Sequence, residues 1–116
     1  MSVTILIIDN EPSIVQIAKD ILEREGFNVL TASGGKQGTD IWLSHRSIIN
    51  LVVVDMEMPN VDGPAVISSI LMIEPKAKIL AMSGNPETRE RCQAGLYLAK
   101  PFRPHDLIAA VNSLLK

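Results

Sequence analysis

Cysteine is nearly absent from this chain. The single Cys92 cannot close an internal disulfide or build a thiolate metal cluster. A basic excess is also absent: 11 Lys and Arg against 13 Asp and Glu leave a formal charge of −2. That balance offers no footprint for a nucleic-acid backbone. Long apolar runs are missing, since the strongest, residues 3–8 and 51–54, are far too short to cross a bilayer. No Lys or Arg precedes the first run, which ends in Asp9-Asn10-Glu11, so the N-terminus does not read as a signal peptide. Repeats, linkers and low-complexity tails are lacking as well. What remains is ordinary globular composition, 47% hydrophobic and 21% charged over 116 residues. A chain of this length buries roughly two-thirds of its unfolded surface and needs no staple. The expectation is one cytoplasmic domain over residues 1–116, with no membrane contact and no direct nucleic-acid contact.

The apolar pattern alternates between two periods. Residues 3–8 form a β-branched run of strand length, and Pro12 then opens a helix where its missing N–H is harmless. Ile14, Ile17, Ala18, Ile21 and Leu22 recur at helical spacing, and Gly26 supplies the stop. A second strand over residues 27–31 and a weaker helix over 36–44 follow. Residues 49–54 are apolar without alternation, the mark of a strand covered on both faces. Pro64 starts a third helix reaching about residue 73. A fourth strand covers 78–82, and Asn85-Pro86-Glu87 is a good start for a short fourth helix. Residues 96–99 give a fifth strand, and Pro104 opens a last helix to residue 115. This order predicts an α/β fold: a (βα)5 doubly wound, five-stranded parallel sheet in a flavodoxin-like three-layer sandwich.

In such a sheet, ligands bind beyond the carboxyl ends of the strands, where the strand order reverses. The residues there are Asp9-Asn10-Glu11 after strand one, Asp55-Met56-Glu57 after strand three, Ser83-Gly84 after strand four and Lys100-Pro101 after strand five. Clustered carboxylates repel one another and are costly to bury together without a cation. Oxygen-only ligands in an incomplete cage suit Mg²⁺, with Mn²⁺ as an alternative. Lys100 offers a compact positive charge and Ser83 a hydroxyl donor, both suited to phosphoryl oxygens. A carboxylate can also serve as nucleophile, forming an acyl phosphate.

At this point the residues resemble a known family, the receiver domain of two-component response regulators. The resemblance spans the whole chain and rests on blocks in one order: Ile5-Leu6-Ile7-Ile8-Asp9-Asn10-Glu11-Pro12; Leu51-Val52-Val53-Val54-Asp55-Met56-Glu57-Met58-Pro59 with Val61-Asp62-Gly63; Ala81-Met82-Ser83-Gly84; and Tyr97-Leu98-Ala99-Lys100-Pro101-Phe102. It implies that Asp55 accepts a phosphoryl group from a sensor histidine kinase or phosphotransfer protein, in a Mg²⁺-dependent reaction. Asp9, Asn10, Asp55 and the backbone oxygen of Glu57 would hold the ion. Lys100 would contact the phosphoryl group, and Ser83 would be the switch hydroxyl that Tyr97 follows. The Lys100-Pro101 bond would be cis. Such a domain is a monomer or weak dimer and acts through a partner or output domain. It is a switch and not an enzyme, apart from self-catalysed phosphotransfer and dephosphorylation.

Three departures from the family pattern stand out. Asn10 stands where a second aspartate is usual, so one negative charge is missing from the expected ion site. Glu57, two residues past the acceptor, adds charge where an anionic donor must approach. The interval from Ser83 to Lys100 is shorter than usual by about a helical turn, ~3.6 residues. These departures motivate an alternative: a pseudo-receiver that keeps the fold as a protein-interaction scaffold. A phosphatase or nucleotide-binding enzyme fits poorly, because no glycine-rich phosphate loop follows strand one and the length leaves no room for a cap domain.

Plainer readings exist for each residue. Asp9-Asn10-Glu11 suits a helix N-terminus, Ser83 a turn, and Tyr97 a half-buried strand. Asp62 is expected to shape the turn into Gly63-Pro64. His45 and His105 are expected to face solvent, and Met56, Met58, Met72 and Met82 to serve packing.

Overall fold

The computed structural model describes residues 2–87 and 94–116. Five strands form one parallel sheet in the order β2-β1-β3-β4-β5. They are β1 (Thr4–Ile8), β2 (Asn28–Ala32), β3 (Ile49–Asp55), β4 (Ile79–Ser83) and β5 (Leu96–Ala99). Four helices are described: α1 (Pro12–Arg24), α2 (Gly35–His45), α3 (Gly63–Ile73) and α4 (Pro104–Leu115). The short helix expected to open at Pro86, with Cys92 on it, runs into residues 88–93 and lies outside the described residues. Among the described residues, no helix is long and apolar enough to cross a membrane.

The unbroken apolar runs are explained by cover on both sheet faces. Leu6, Ile8, Val52, Val54, Ile79 and Ala81 pack with Trp42 of α2 and with Val66, Ile67 and Ile70 of α3. Their neighbours in sequence, Ile5, Ile7, Leu51, Val53, Leu80 and Met82, point the other way, against Ala18 and Leu22 of α1 and Leu107 and Val111 of α4. With period-two side chains split between two helical layers, no polar alternation survives in β1, β3 or β4. Met72 departs from the packing expectation, being 85% exposed. It lies two residues past the buried Ile70, roughly 200° around the helix at 3.6 residues per turn, and so faces away from the sheet.

Three strands end one residue beyond the sequence reading, at Ala32 of β2, Asp55 of β3 and Ser83 of β4. Asp55 and Ser83 are the last residues of β3 and β4. The ladder continues there because Met56 N–H donates to the Met82 carbonyl at 2.8 Å and Lys100 N–H donates to the Ser83 carbonyl at 2.8 Å. Both side chains therefore issue from rigid sheet rather than from loop.

The strand order reverses between β1 and β3, which pair directly with Ile8 opposite Val54. Asp9 and Asp55 are thus brought side by side by register alone. The turn that follows β3 is closed by Gly63, where a side-chain Cβ would collide with the Asp55 carbonyl oxygen and the Met56 Cα. Asp62 begins α3 as its N-cap, its Oδ1 accepting from Ala65 N–H at 3.0 Å. Because the obstructing atoms at Gly63 are backbone, Gly63→Ala is expected to destabilise the fold by about 1–3 kcal/mol, read as a lower urea midpoint at unchanged m-value.

Candidate functional site

Asp9, Asp55 and Ser83 are buried, at 0%, 1% and 1% exposure, within an otherwise apolar core. The two aspartates are held by the same local device. Asp9 Oδ1 accepts from Glu11 N–H at 2.9 Å, and Asp55 Oδ1 accepts from Glu57 N–H at 3.1 Å. Each carboxylate thereby bonds the backbone two residues on, as Asx side chains do at chain reversals. Its orientation is set before any ligand arrives.

Lys100 reaches into this pair from the end of β5. Its Nζ lies 2.9 Å from Asp9 Oδ2, 3.3 Å from Asp55 Oδ1 and 3.5 Å from Glu11 Oε1. The lysine therefore sits closest to Asp9 while also pairing with Asp55, the aspartate expected to be the acceptor. The Lys100-Pro101 peptide bond is cis.

Three of the four oxygens on the two aspartates are accounted for. The fourth, Asp55 Oδ2, is buried and has no hydrogen-bond partner among the described residues. Leaving such an atom unpaired costs about 1–3 kcal/mol or more for a charged group. Three carboxylates, on Asp9, Glu11 and Asp55, can bring one oxygen each within 4.8 Å of one another. Among the described residues they face a single ammonium, so negative charge there is in excess. An all-oxygen set, an uncompensated charge and an unpaired buried oxygen together fit a divalent cation such as Mg²⁺. Asn10, expected among the ion ligands, is exposed, as is Glu11, whose carboxylate lies with the two buried aspartates.

The electrostatics follow from this packing. Burial, and then the neighbouring Asp9 charge, push the Asp55 carboxyl up from 3.8 to about 6, although the Glu57 N–H and Lys100 pull the other way. Burial alone would lower the Lys100 ammonium. The hydrogen bond and charge of Asp9, with the charge of Asp55, outweigh it and raise Lys100 above its ordinary value. Lys100 is thus a permanent cation at neutral pH.

The expected switch residues, Ser83 at the end of β4 and Tyr97 on β5, meet at the turn that follows β4. Ser83 Oγ donates to Glu57 Oε2 at 2.6 Å, with the Asn85 carbonyl oxygen also near at 3.0 Å. It accepts from Asn85 N–H at 2.9 Å. Gly84 N–H donates to Glu57 Oε1 at 3.1 Å. Tyr97, half-buried on β5, directs its hydroxyl at the carbonyls of Ser83 (3.3 Å) and Asn85 (3.2 Å). Sequence reasoning put Glu57 two residues past Asp55 but did not place its side chain on this turn; Glu57 lies beyond the end of β3, so no strand period points to the contact.

His45 and His105 are exposed, and Asp62 serves its helix cap.

Comparisons with known proteins place this geometry. The family model for the response regulator receiver domain matches residues 5–112. The response regulator GtcR of Aneurinibacillus migulanus is 32% identical over 121 residues, covering all of this chain and 49% of that protein. The chain spans about half the length of the curated relatives it matches. Among solved structures, a receiver domain protein from Clostridium thermocellum superposes with a TM-score of 0.91 at 32% identity, covering 97% of this chain and 94% of that one. The response regulator protein TrrA of Thermotoga maritima, crystallised with Mg²⁺ and a beryllium fluoride, gives 0.90 at 30%, covering 99% and 100%.

The raised Asp55 carboxyl carries a pH signature in the absence of divalent cations. Between pH 4 and 6 the unfolded chain releases this proton while the folded chain retains it. The group therefore lowers stability as pH rises through that window, by at most about 3 kcal/mol. Asp55→Asn removes the effect. Relative to wild type in EDTA, the variant gains stability at pH 7.5 that it does not show at pH 4, as measured by urea unfolding.

Proposed function

Since the chain belongs to the response regulator receiver domain family, we propose that it is a phosphorylation-controlled switch whose acceptor is Asp55. The observation that carries this reading is the buried Asp55 Oδ2, which has no hydrogen-bond partner among the described residues, on a carboxylate whose other oxygen lies 3.3 Å from Lys100 Nζ. It is a nucleophilic oxygen with a positive charge at hand on its own carboxylate and no hydrogen bond holding it.

The Asp55 oxygen attacks phosphorus on a phosphohistidine of a sensor histidine kinase or phosphotransfer protein. The O–P bond forms as the P–N bond breaks, and the electron pair returns to the imidazole nitrogen. The product is an acyl phosphate. Lys100, held protonated by its acidic neighbours, stabilises phosphoryl oxygens in flight, and the Ser83 hydroxyl is the donor on the opposite side. Asp9, Asp55 and Glu11 would hold Mg²⁺, which supplies charge neutralisation for the carboxylates and the incoming phosphoryl group. Asp9 also positions Lys100 through their 2.9 Å ion pair. The new charge then biases the Ser83–Asn85 turn and Tyr97, which that turn holds. Hydrolysis of the acyl phosphate by water, releasing phosphate and restoring the carboxylate, ends the signal.

The output passes to a partner or to a further domain. A non-phosphorylated scaffold is the second reading, favoured by Asn10 in place of an acid.

Intact mass spectrometry after incubation with acetyl phosphate tests the assignment. One added phosphoryl group is expected with Mg²⁺, and none with EDTA or in Asp55→Asn. Lys100→Met is expected to slow its appearance by at least about tenfold. Absence of any adduct, also with a phosphorylated kinase domain as donor, would favour the scaffold.

A further inference from the structure

The switch reading leaves the side chain of Glu57 without a part. The residue is exposed, yet its carboxylate is gripped at both oxygens: Oε2 by the Ser83 hydroxyl at 2.6 Å and Oε1 by Gly84 N–H at 3.1 Å. A hydroxyl and a backbone amide converging on one anion form a small anion site, and 2.6 Å is typical of a hydroxyl donating to an ionised oxygen. This site lies directly beside the acceptor. Asp55 pairs across the sheet with Met82, the residue before Ser83. Glu57 in turn is tethered to Asp55 through its own N–H at 3.1 Å.

We propose that the Glu57 carboxylate is an internal stand-in for the phosphoryl group. In the unmodified chain it occupies the Ser83 and Gly84 donors, and it must leave them before an adduct on Asp55 can use them. The proposal rests on the reading of Asp55 as acceptor. Ser83 has one hydroxyl proton and cannot serve two anions at once. A phosphoryl group at Asp55 also repels the neighbouring carboxylate. Glu57 is exposed, so it can swing into water without opening the core. Meanwhile the turn it leaves stays in place, held by the Lys100 N–H on the Ser83 carbonyl at 2.8 Å and by Asn85 N–H on Ser83 Oγ at 2.9 Å. The exchange therefore swaps one anion for another on a preformed turn. It sets a threshold that small anionic donors must overcome.

The test uses beryllofluoride with Mg²⁺ as probe and amide NMR as readout, on wild type, Glu57→Ala, Ser83→Ala, the double variant and Asp55→Asn. Without probe, Glu57→Ala is expected to move the Gly84 amide resonance, because its hydrogen-bond acceptor is lost. With probe, Glu57→Ala is expected to bind about tenfold more tightly than wild type, the effect of one charge-assisted hydrogen bond no longer competing. In the Ser83→Ala background that gain is expected to shrink to about threefold or less, since the contested donor is gone. An unmoved Gly84 resonance would overturn the proposal. So would an equal gain with and without Ser83, which is the behaviour of simple charge repulsion. Probe binding that requires Asp55 but ignores Glu57 sinks the stand-in alone. Binding that is absent in every chain, or unchanged in Asp55→Asn, removes the acceptor reading and this proposal with it.

Discussion

Two buried carboxylates from adjacent parallel strands share one lysine, and the rest of the site is arranged around that imbalance. Asp9 and Asp55 lie side by side because β1 and β3 pair across the point where the strand order reverses. Each is oriented by a backbone N–H two residues on. Lys100 approaches both but sits nearer Asp9. The consequence is a carboxyl on Asp55 held at about 6 by burial and by Asp9, with one oxygen left unbonded. Folding energy from the apolar layers above and below the sheet keeps this unfavourable arrangement together. It is the kind of local strain that functional sites store.

The second group of residues is organised by hydrogen bonds rather than by charge density. The Ser83–Asn85 turn is tied to β5 through the Lys100 backbone and to Tyr97 through two carbonyls, so the lysine and the tyrosine are placed relative to the same short segment. An anion arriving on Asp55 would meet a turn that already faces one, the Glu57 carboxylate. In the proposed cycle, the difference between the two states is which anion the turn holds and how much charge it carries. That places the control of sensitivity on a single exposed side chain beside the acceptor.

Much of this was legible in the chain itself. The unalternating runs at residues 3–8 and 49–54 announce strands with cover on both faces, and the helical layers split the odd and even residues of β1 and β3 between them. The acids, the serine and the lysine could be placed at strand ends because parallel topology gathers all carboxyl ends at one edge. Less legible was anything decided within a residue or two. Asp55 and Ser83 end their strands rather than starting loops, a matter of ladder hydrogen bonds that hydropathy does not see. Lys100 lies nearer Asp9 than Asp55, and Glu11 joins the two aspartates, because side-chain reach depends on the path of the turn. Met72 read as packing from its type alone, yet its helical phase exposes it. The Glu57–Ser83 bond joins residues 26 apart in sequence and has no local signature.

The claim that Asp9 and Asp55 form one unsatisfied site is tested most directly by calorimetric titration of the metal-free chain with Mg²⁺ at neutral pH. A single binding event is expected, weakened about tenfold or more by Asp9→Asn, since attraction between a divalent ion and one carboxylate amounts to a few kcal/mol at the effective dielectric of such sites. No heat at millimolar Mg²⁺, or an affinity indifferent to Asp9, would contradict the account.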